Sequence, residues 1–204
     1  MLLKIHPDNP DPRRIHRVVE ILRNGGVVIY PTDTVYALGC DIYNHKAMEK
    51  IARIKNIDLN KAHLSFVCED LSHLSDFTKP LHNSIFKLIK RHIPGPFTFI
   101  LEANNEVPKQ FRKNKKTVGI RVPDNKIARE IVHQLGHPIL STSLVTNDEV
   151  QEYPTDPELI YEDYQKLVDA VIDGGYGGIE PSTVVDLTND EVEILREGKG
   201  VLIL

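Results

Sequence analysis

The chain has 204 residues, 41% hydrophobic and 26% charged, which is enough for one well-buried core and predicts a single domain over residues 1–204. Its formal net charge of −4 argues against a protein that coats nucleic acid non-specifically. The start Met1-Leu2-Leu3-Lys4-Ile5-His6-Pro7-Asp8 lacks the apolar stretch of a secretory signal, and no segment approaches the roughly 20 apolar residues that cross a bilayer, so the expectation is a cytoplasmic protein with no membrane partner.

Asp11 as N-cap, Pro12 behind it, apolar Ile15, Val18, Val19 and Leu22 at helical spacing, and Gly25 beyond predict the first helix. Val27 to Tyr30 reads as a buried strand stopped by Pro31, and a loop follows. Asn44 caps a helix with Ala47, Met48, Ile51 and Ile54 on one face, and Leu64 to Cys68 returns as a strand. A helix from about Asn83 to Arg91 is broken by Pro94-Gly95-Pro96, and Phe97 to Leu101 has the aromatic and β-branched content of a central strand. Thr117 to Val122 is a strand, Asn125 to Leu135 an amphipathic helix closed by Gly136, and Ile139 to Ser143 a strand. Asp156-Pro157 opens a helix reaching Tyr164, Ala170 to Asp173 is a strand, and Thr183 to Asp186 and Val192 to Arg196 are two more. Helices alternate with short β-branched runs and no repeat or linker intervenes. The fold class is therefore α/β, a single domain with a mixed sheet flanked by helices, and the final two strands, with no helix between them, predict an antiparallel pair.

Charge is distributed unevenly. Met1 to Thr146 carries 22 Lys/Arg against 14 Asp/Glu, whereas the remainder carries 3 against 15. Such polarity suits a polyanion held against one face, and equally a plain solvated surface. Cys40 and Cys68 have neither metal nor redox spacing and read as buried thiols.

The most concentrated polar segment, Pro31-Thr32-Asp33-Thr34-Val35-Tyr36, sits where a buried strand ends, a common ligand position in α/β sheets. Its hydroxyls would orient a small polar substrate, or else simply satisfy backbone donors in a capped turn. Five motifs occur in order: YPTDTVYALG (30–39), PGPFTFIL (94–101), VGIRVP (118–123), PSTVV (181–185) and LREG (195–198). Together they resemble the YrdC-like family over about residues 12–200, and the opening IHPDNP, the YALGC variant, the LSTSL run and the DGGYGG loop resemble its YciO branch.

That resemblance implies a twisted YrdC-like sheet around a concave, positively lined cavity. There the family's synthases combine L-threonine, bicarbonate and ATP to threonylcarbamoyl-adenylate for tRNA modification, releasing pyrophosphate. By the resemblance, Thr34 and Arg121 hold threonine, the arginine as a planar fork suited to a carboxylate. Lys55, Thr117, Ser141, Ser143 and Arg196 match positions around the nucleotide, and Thr32, Ser182 and Thr183 match the cavity wall. Mg²⁺ is expected only with ATP as substrate, with no protein-only metal site.

The departures concern the same pocket. Where the synthases carry Lys-x-Arg, this chain reads Lys55-Asn56-Ile57; where they carry a proline and a histidine it has Ala62 and Phe66; and their Ser-x-Asn is Ser143-Leu144-Val145. Each lost charge-assisted bond weakens transition-state binding by about 1.5–3 kcal/mol.

Other candidates carry weaker signals. His133 and His137 are four apart, but Gly136 ends the helix between them, and no metal site is expected. Gly174-Gly175-Tyr176-Gly177-Gly178 lacks the Lys-Ser/Thr of a phosphate loop and reads as a flexible loop near the cavity. Lys109, Arg112, Lys113, Lys115 and Lys116, with Phe111 beside them, suit phosphates or solvent. The reading favoured at this point is a YciO-like protein that binds double-stranded RNA or tRNA and retains a nucleotide-type pocket. A weak or altered nucleotidyltransferase of the threonylcarbamoyl-adenylate synthase type is the alternative, and a small-ligand sensor a third.

Overall fold

Ten strands and six α-helices are present among residues 1–58, 64–109, 116–145, 153–189 and 191–204, the residues that this computed structural model describes. In chain order they are β1 (Leu2–Lys4), α1 (Pro12–Arg23), β2 (Val28–Tyr30), β3 (Ala37–Asp41), α2 (His45–Lys55), β4 (Ser65–Val67), α3 (Leu74–Phe77), α4 (Asn83–His92) and β5 (Phe97–Glu102). There follow β6 (Thr117–Arg121), α5 (Lys126–Leu135), β7 (Ile139–Ser143), α6 (Pro157–Tyr164), β8 (Ala170–Asp173), β9 (Thr183–Asp186) and β10 (Glu193–Arg196). Helix starts are fixed by the expected caps: side-chain oxygens of Asp11, Asn44, Asn125 and Asp156 accept from the amides of Arg13, Ala47, Ala128 and Glu158 at 2.8–3.0 Å.

All ten strands form one mixed sheet in the order β1-β8-β2-β3-β7-β4-β6-β5-β9-β10, with β9 and β10 antiparallel as expected. Registry sorts the side chains by face. Gly39, Ser141, Ser65, Gly119 and Ile100 lie side by side across five strands, and by alternation Ser143, Thr117, Arg121 and Thr98 share their face. The opposite face carries Leu38, Leu140, Phe66, Val118, Ile120 and Phe99 into the main core, packed with Met48 and Ile51 of α2 and Ile85 and Ile89 of α4. Helices α1 and α5 cover only part of the first face, over Val28, Tyr30, Ala37, Val67 and Ile139. Where the residues become serine, glycine and threonine, there is too little apolar area to hold a helix, and this stretch forms the polar floor of the site.

Three sequence expectations need correction. The loop after Pro31 is shorter than read, because Ala37-Leu38-Gly39-Cys40-Asp41 forms the fully buried β3. Its residues lack β-branching, and pairing on both sides with β2 and β7 supplies what local propensity does not. A strand at Leu2–Lys4, held by β8, and the 3₁₀ turn Leu71–His73 running into α3 were not expected. The glycine loop is tethered rather than flexible: Gly178 N–H donates to Thr34 O at 2.8 Å, Gly177 N–H to Thr155 O at 2.8 Å, and Tyr36 O–H to Gly175 O at 2.7 Å. Cys40 and Cys68 are buried and free, and burial pushes both thiols up, so they are unreactive.

Close approach explains one of these glycines. A Cβ on Gly178 would lie 2.3 Å from the Thr34 carbonyl oxygen, which is backbone and cannot yield. Gly178→Ala is expected to cost about 1–3 kcal/mol of stability, read as a lower urea midpoint at unchanged slope. An unchanged midpoint would show that the 31–36 loop moves freely.

Candidate functional site

Arg121 ends β6 with only 8% of its surface exposed. Its Nη2 donates to Asp33 Oδ1 at 2.8 Å and to Thr34 Oγ1 at 3.0 Å. Thr32 Oγ1 lies 3.1 Å from Thr34 Oγ1, donates to Val35 O at 2.7 Å and accepts from Thr34 N–H. The capped-turn reading therefore holds for Thr32, while Asp33 and Thr34 turn their polar atoms to Arg121. Among the described residues, Arg121 Nε and Asp33 Oδ2 are buried without a hydrogen-bond partner. Each such atom costs about 1–3 kcal/mol, so the ion pair is strained by its incomplete hydrogen bonding.

On one flank, Lys55, at the end of α2 and 5% exposed, donates to the carbonyls of Ser143, at 2.6 Å, and Val145. Ser143 Oγ also bonds Val145 O, and Ser141 Oγ accepts from Tyr30 O–H at 2.7 Å. Burial pushes the Tyr30 phenol up to about 12, so it remains a donor. Asn56 adopts a left-handed conformation, φ 51°, and the next residue, Ile57, packs against the main core where the synthases of the resembling family carry an arginine. Thr117 opens β6, roughly 13 Å along the strand from Arg121 at about 3.3 Å per residue. Ala62 lies outside the described residues.

On the other flank, Ser182 Oγ lies 2.8 Å from Thr98 Oγ1, and Ser182 O accepts from Arg196 Nε and Nη2 at 3.2 and 2.9 Å. Thr183 Oγ1 donates to Gly200 O at 2.6 Å and accepts from the amides of Gly198 and Gly200. That clamp brings Lys199 Nζ onto Asp33 O. Asp33 and Lys199 are the site residues that sequence reasoning missed. The signal for Lys199 is its place between two glycines: a Cβ on Gly198 would meet Pro181 O at 2.4 Å, and one on Gly200 the Phe97 ring at 2.6 Å.

The structure thus joins Thr32, Thr34 and Arg121 directly, Lys55 with Ser143, and Ser182 with Arg196, while Thr183 holds the C-terminal strap rather than facing a ligand. Of the basic cluster, Lys109 and Lys116 are exposed, and Arg112, Lys113 and Lys115 lie outside the described residues. No helix among the described residues is long and apolar enough to cross a membrane.

The Sua5, YciO and YrdC family model, described as telomere recombination, matches residues 20–198. Escherichia coli YciO is 47% identical over 198 residues, covering 96% of this chain and 94% of the relative. Its crystal structure superposes with a TM-score of 0.91 at 44% identity, covering 98% of this chain and 97% of that one. A putative threonylcarbamoyl-AMP synthase of Methanocaldococcus jannaschii is 33% identical, covering 97% of this chain and 92% of the relative. The structure of Pyrococcus abyssi Sua5 complexed with L-threonine gives a TM-score of 0.87 at 27% identity, covering 97% of this chain and 57% of that one. The five ordered motifs, the mixed sheet and these matches agree, and the chain belongs to the Sua5, YciO and YrdC family.

Proposed function

We propose that this protein binds a small α-amino acid of the L-threonine type at Arg121, Thr34 and Asp33, with a nucleotide beside it, and acts as a slow enzyme of the threonylcarbamoyl-AMP synthase type. The observation that carries this reading is the convergence of the buried Arg121 guanidinium on Asp33 and the Thr34 hydroxyl, with Arg121 Nε and Asp33 Oδ2 not hydrogen-bonded among the described residues. With the 31–36 loop shifted to admit it, a zwitterion satisfies both: its carboxylate accepts from the guanidinium, its ammonium donates to the carboxylate, and the Thr34 hydroxyl fixes the orientation. The L-threonine complex of Sua5, a relative of the same fold, supports the choice of amino acid. Geometry here reverses the order favoured by sequence, since it favours the small-ligand site and leaves most of the basic cluster undescribed.

In this reading the amine nitrogen forms a bond to the bicarbonate carbon with loss of water. A carbamate oxygen then attacks the α-phosphorus of Mg²⁺-bound ATP, and pyrophosphate leaves. Ser141, Ser143 and Thr117 line the floor on which the nucleotide lies, and Lys55 and Arg196 reach phosphates by exchanging the carbonyl contacts they make here. Ile57 and Val145 remove two polar contacts, each about tenfold to a hundredfold in rate.

The direct test is pyrophosphate release with ATP, Mg²⁺ and bicarbonate, with and without L-threonine. Threonine-dependent release is expected, reduced at least about a hundredfold in Arg121→Ala, with Arg121→Lys a poor substitute because it lacks the fork. Threonine-independent release, or none, would sink the synthase reading, and threonine binding without release would make the protein a sensor. If the two lost contacts limit the rate, Ile57→Arg with Val145→Asn raises release by about tenfold or more.

A second reading is binding of duplex RNA or tRNA, favoured by exposed Lys109 and Lys116 on either side of the segment that holds Arg112, Lys113 and Lys115. Affinity should then fall steeply with salt. Lys109→Glu with Lys116→Glu should lower the log–log salt slope by about 2, and an unchanged slope rules out the cluster as the contact.

A further inference from the structure

Beside the polar floor, on the far side of the glycine loop, a cavity of about 610 Å³ opens at the carboxyl ends of the parallel strands β1 and β8, where Lys4 pairs with Asp173. Its walls come from the IHPDNP run, the start of α1, the start of α6 and the DGGYGG loop, so two segments singled out in the sequence meet here. The size suits a small molecule, and carboxyl ends of parallel strands are where α/β sheets place their ligands.

The charges decide which kind. Asp173 lines the cavity with 8% of its surface exposed. Among the described residues its side chain takes part in one hydrogen bond, from Gly175 N–H to Oδ1 at 2.9 Å, and in no ion pair. A carboxylate buried to this degree without a counter-ion is costly, and a cation supplied from outside relieves the cost. Asp11, Asp156 and Glu158 line the same space. Against them stand two cations: Lys4, the register neighbour of Asp173, which makes no ion pair with it, and Arg14, which is already engaged by Lys4 O and, at 3.9 Å, by Asp11. His6 Nδ1 accepts from the amides of Asp8 and Asn9. The lining is therefore net acidic, and an anion is disfavoured.

Ile5, Pro7 and Pro157 supply apolar wall, and Tyr176, 81% exposed, adds an aromatic side chain to the lining. Apolar wall with an aromatic rim suits the methylene groups and cationic head of an organic amine. No group of three or more His, Cys, Asp or Glu among the described residues is arranged to hold a metal ion, which points to an organic cation rather than an inorganic one. We infer that this cavity is a second ligand site that takes an organic ammonium ion of the alkyl-diamine or polyamine class, with Asp173 as its anchoring carboxylate.

Occupancy is felt at the first site. The loop that forms one wall hands its hydrogen bonds to Tyr36, through Gly175 O, and to Thr34, through Gly178 N–H. An ammonium ion on Asp173 thus bears on a loop already tied to the backbone of Thr34, whose hydroxyl faces Arg121.

Calorimetric titration of the full chain at low salt with 1,4-diaminobutane and with spermidine, using 1,4-butanediol as the neutral isostere, tests the assignment. Saturable one-to-one binding of the amines is expected, with none of the diol, and in Asp173→Asn at least tenfold weaker amine binding. That variant keeps Oδ1 as the acceptor for Gly175 N–H, so the loop and its fold are retained, which a urea midpoint no lower than the parent's confirms. Backbone amide resonances of Gly174 to Gly178 should shift with the diamine in the parent protein and not in the variant. Equal binding to parent and variant would reduce the effect to general attraction by surface carboxylates and overturn the site, as would absence of amine binding to the parent.

Discussion

A guanidinium group cannot remain in the interior of a sheet without partners, and Arg121 is the residue around which this molecule resolves that demand. Its position at the end of β6 is fixed by the sheet; its neutralisation comes from Asp33, 88 residues away in the chain. Removing one partner of such a pair typically costs 3–5 kcal/mol, because the other charge stays buried. The loop from Pro31 to Tyr36 is therefore held where the arginine requires it, and the glycine loop and the C-terminal strap are built around that loop: Gly178 against Thr34 O, Lys199 on Asp33 O. Three segments remote in sequence depend on one charge.

The sheet makes this possible by having two unlike faces. One is apolar and closes onto α2 and α4. The other changes along its width, from Val28, Tyr30 and Ala37 beneath α1 and α5 to the serines, threonines and glycines of the floor. Gly39 belongs to the apolar half for steric reasons, since a Cβ there would lie 2.7 Å from the Tyr30 ring and 2.8 Å from Ile139. Gly119, in the same row, is less crowded, although a Cβ there would still meet Ser65 Cβ at 3.3 Å and Thr98 Cγ2 at 3.4 Å.

The same geometry explains how chemistry can weaken while the fold persists. Ile57 contributes apolar area to the main core and so belongs to the frame rather than to a polar site. Val145 still offers its carbonyl to Lys55, a contact that does not depend on its side chain. Backbone groups and core packing hold the frame at both positions. The cavity at Asp173 lies on the opposite side of the glycine loop, and that loop is the physical connection between the two spaces.

The sequence by itself determined the helix caps at Asp11, Asn44, Asn125 and Asp156, most of the strands, and the family, because these rest on residues within a few positions of one another or on motifs read in order. Thr34 and Arg121 were legible through the motifs alone. What only the tertiary structure decided are the features that need two distant segments: the strand at Ala37–Asp41, which its neighbours stabilise and its own propensity does not; the role of Asp33, whose capping alternative is locally equivalent until Arg121 is placed beside it; and the partnership of Lys199 with the loop. The cavity between the IHPDNP and DGGYGG runs is of the same kind. Each run reads locally as a turn, and they form one wall only because β1 lies parallel to β8 at the edge of the sheet, an arrangement fixed by hydrogen bonding between residues about 170 positions apart.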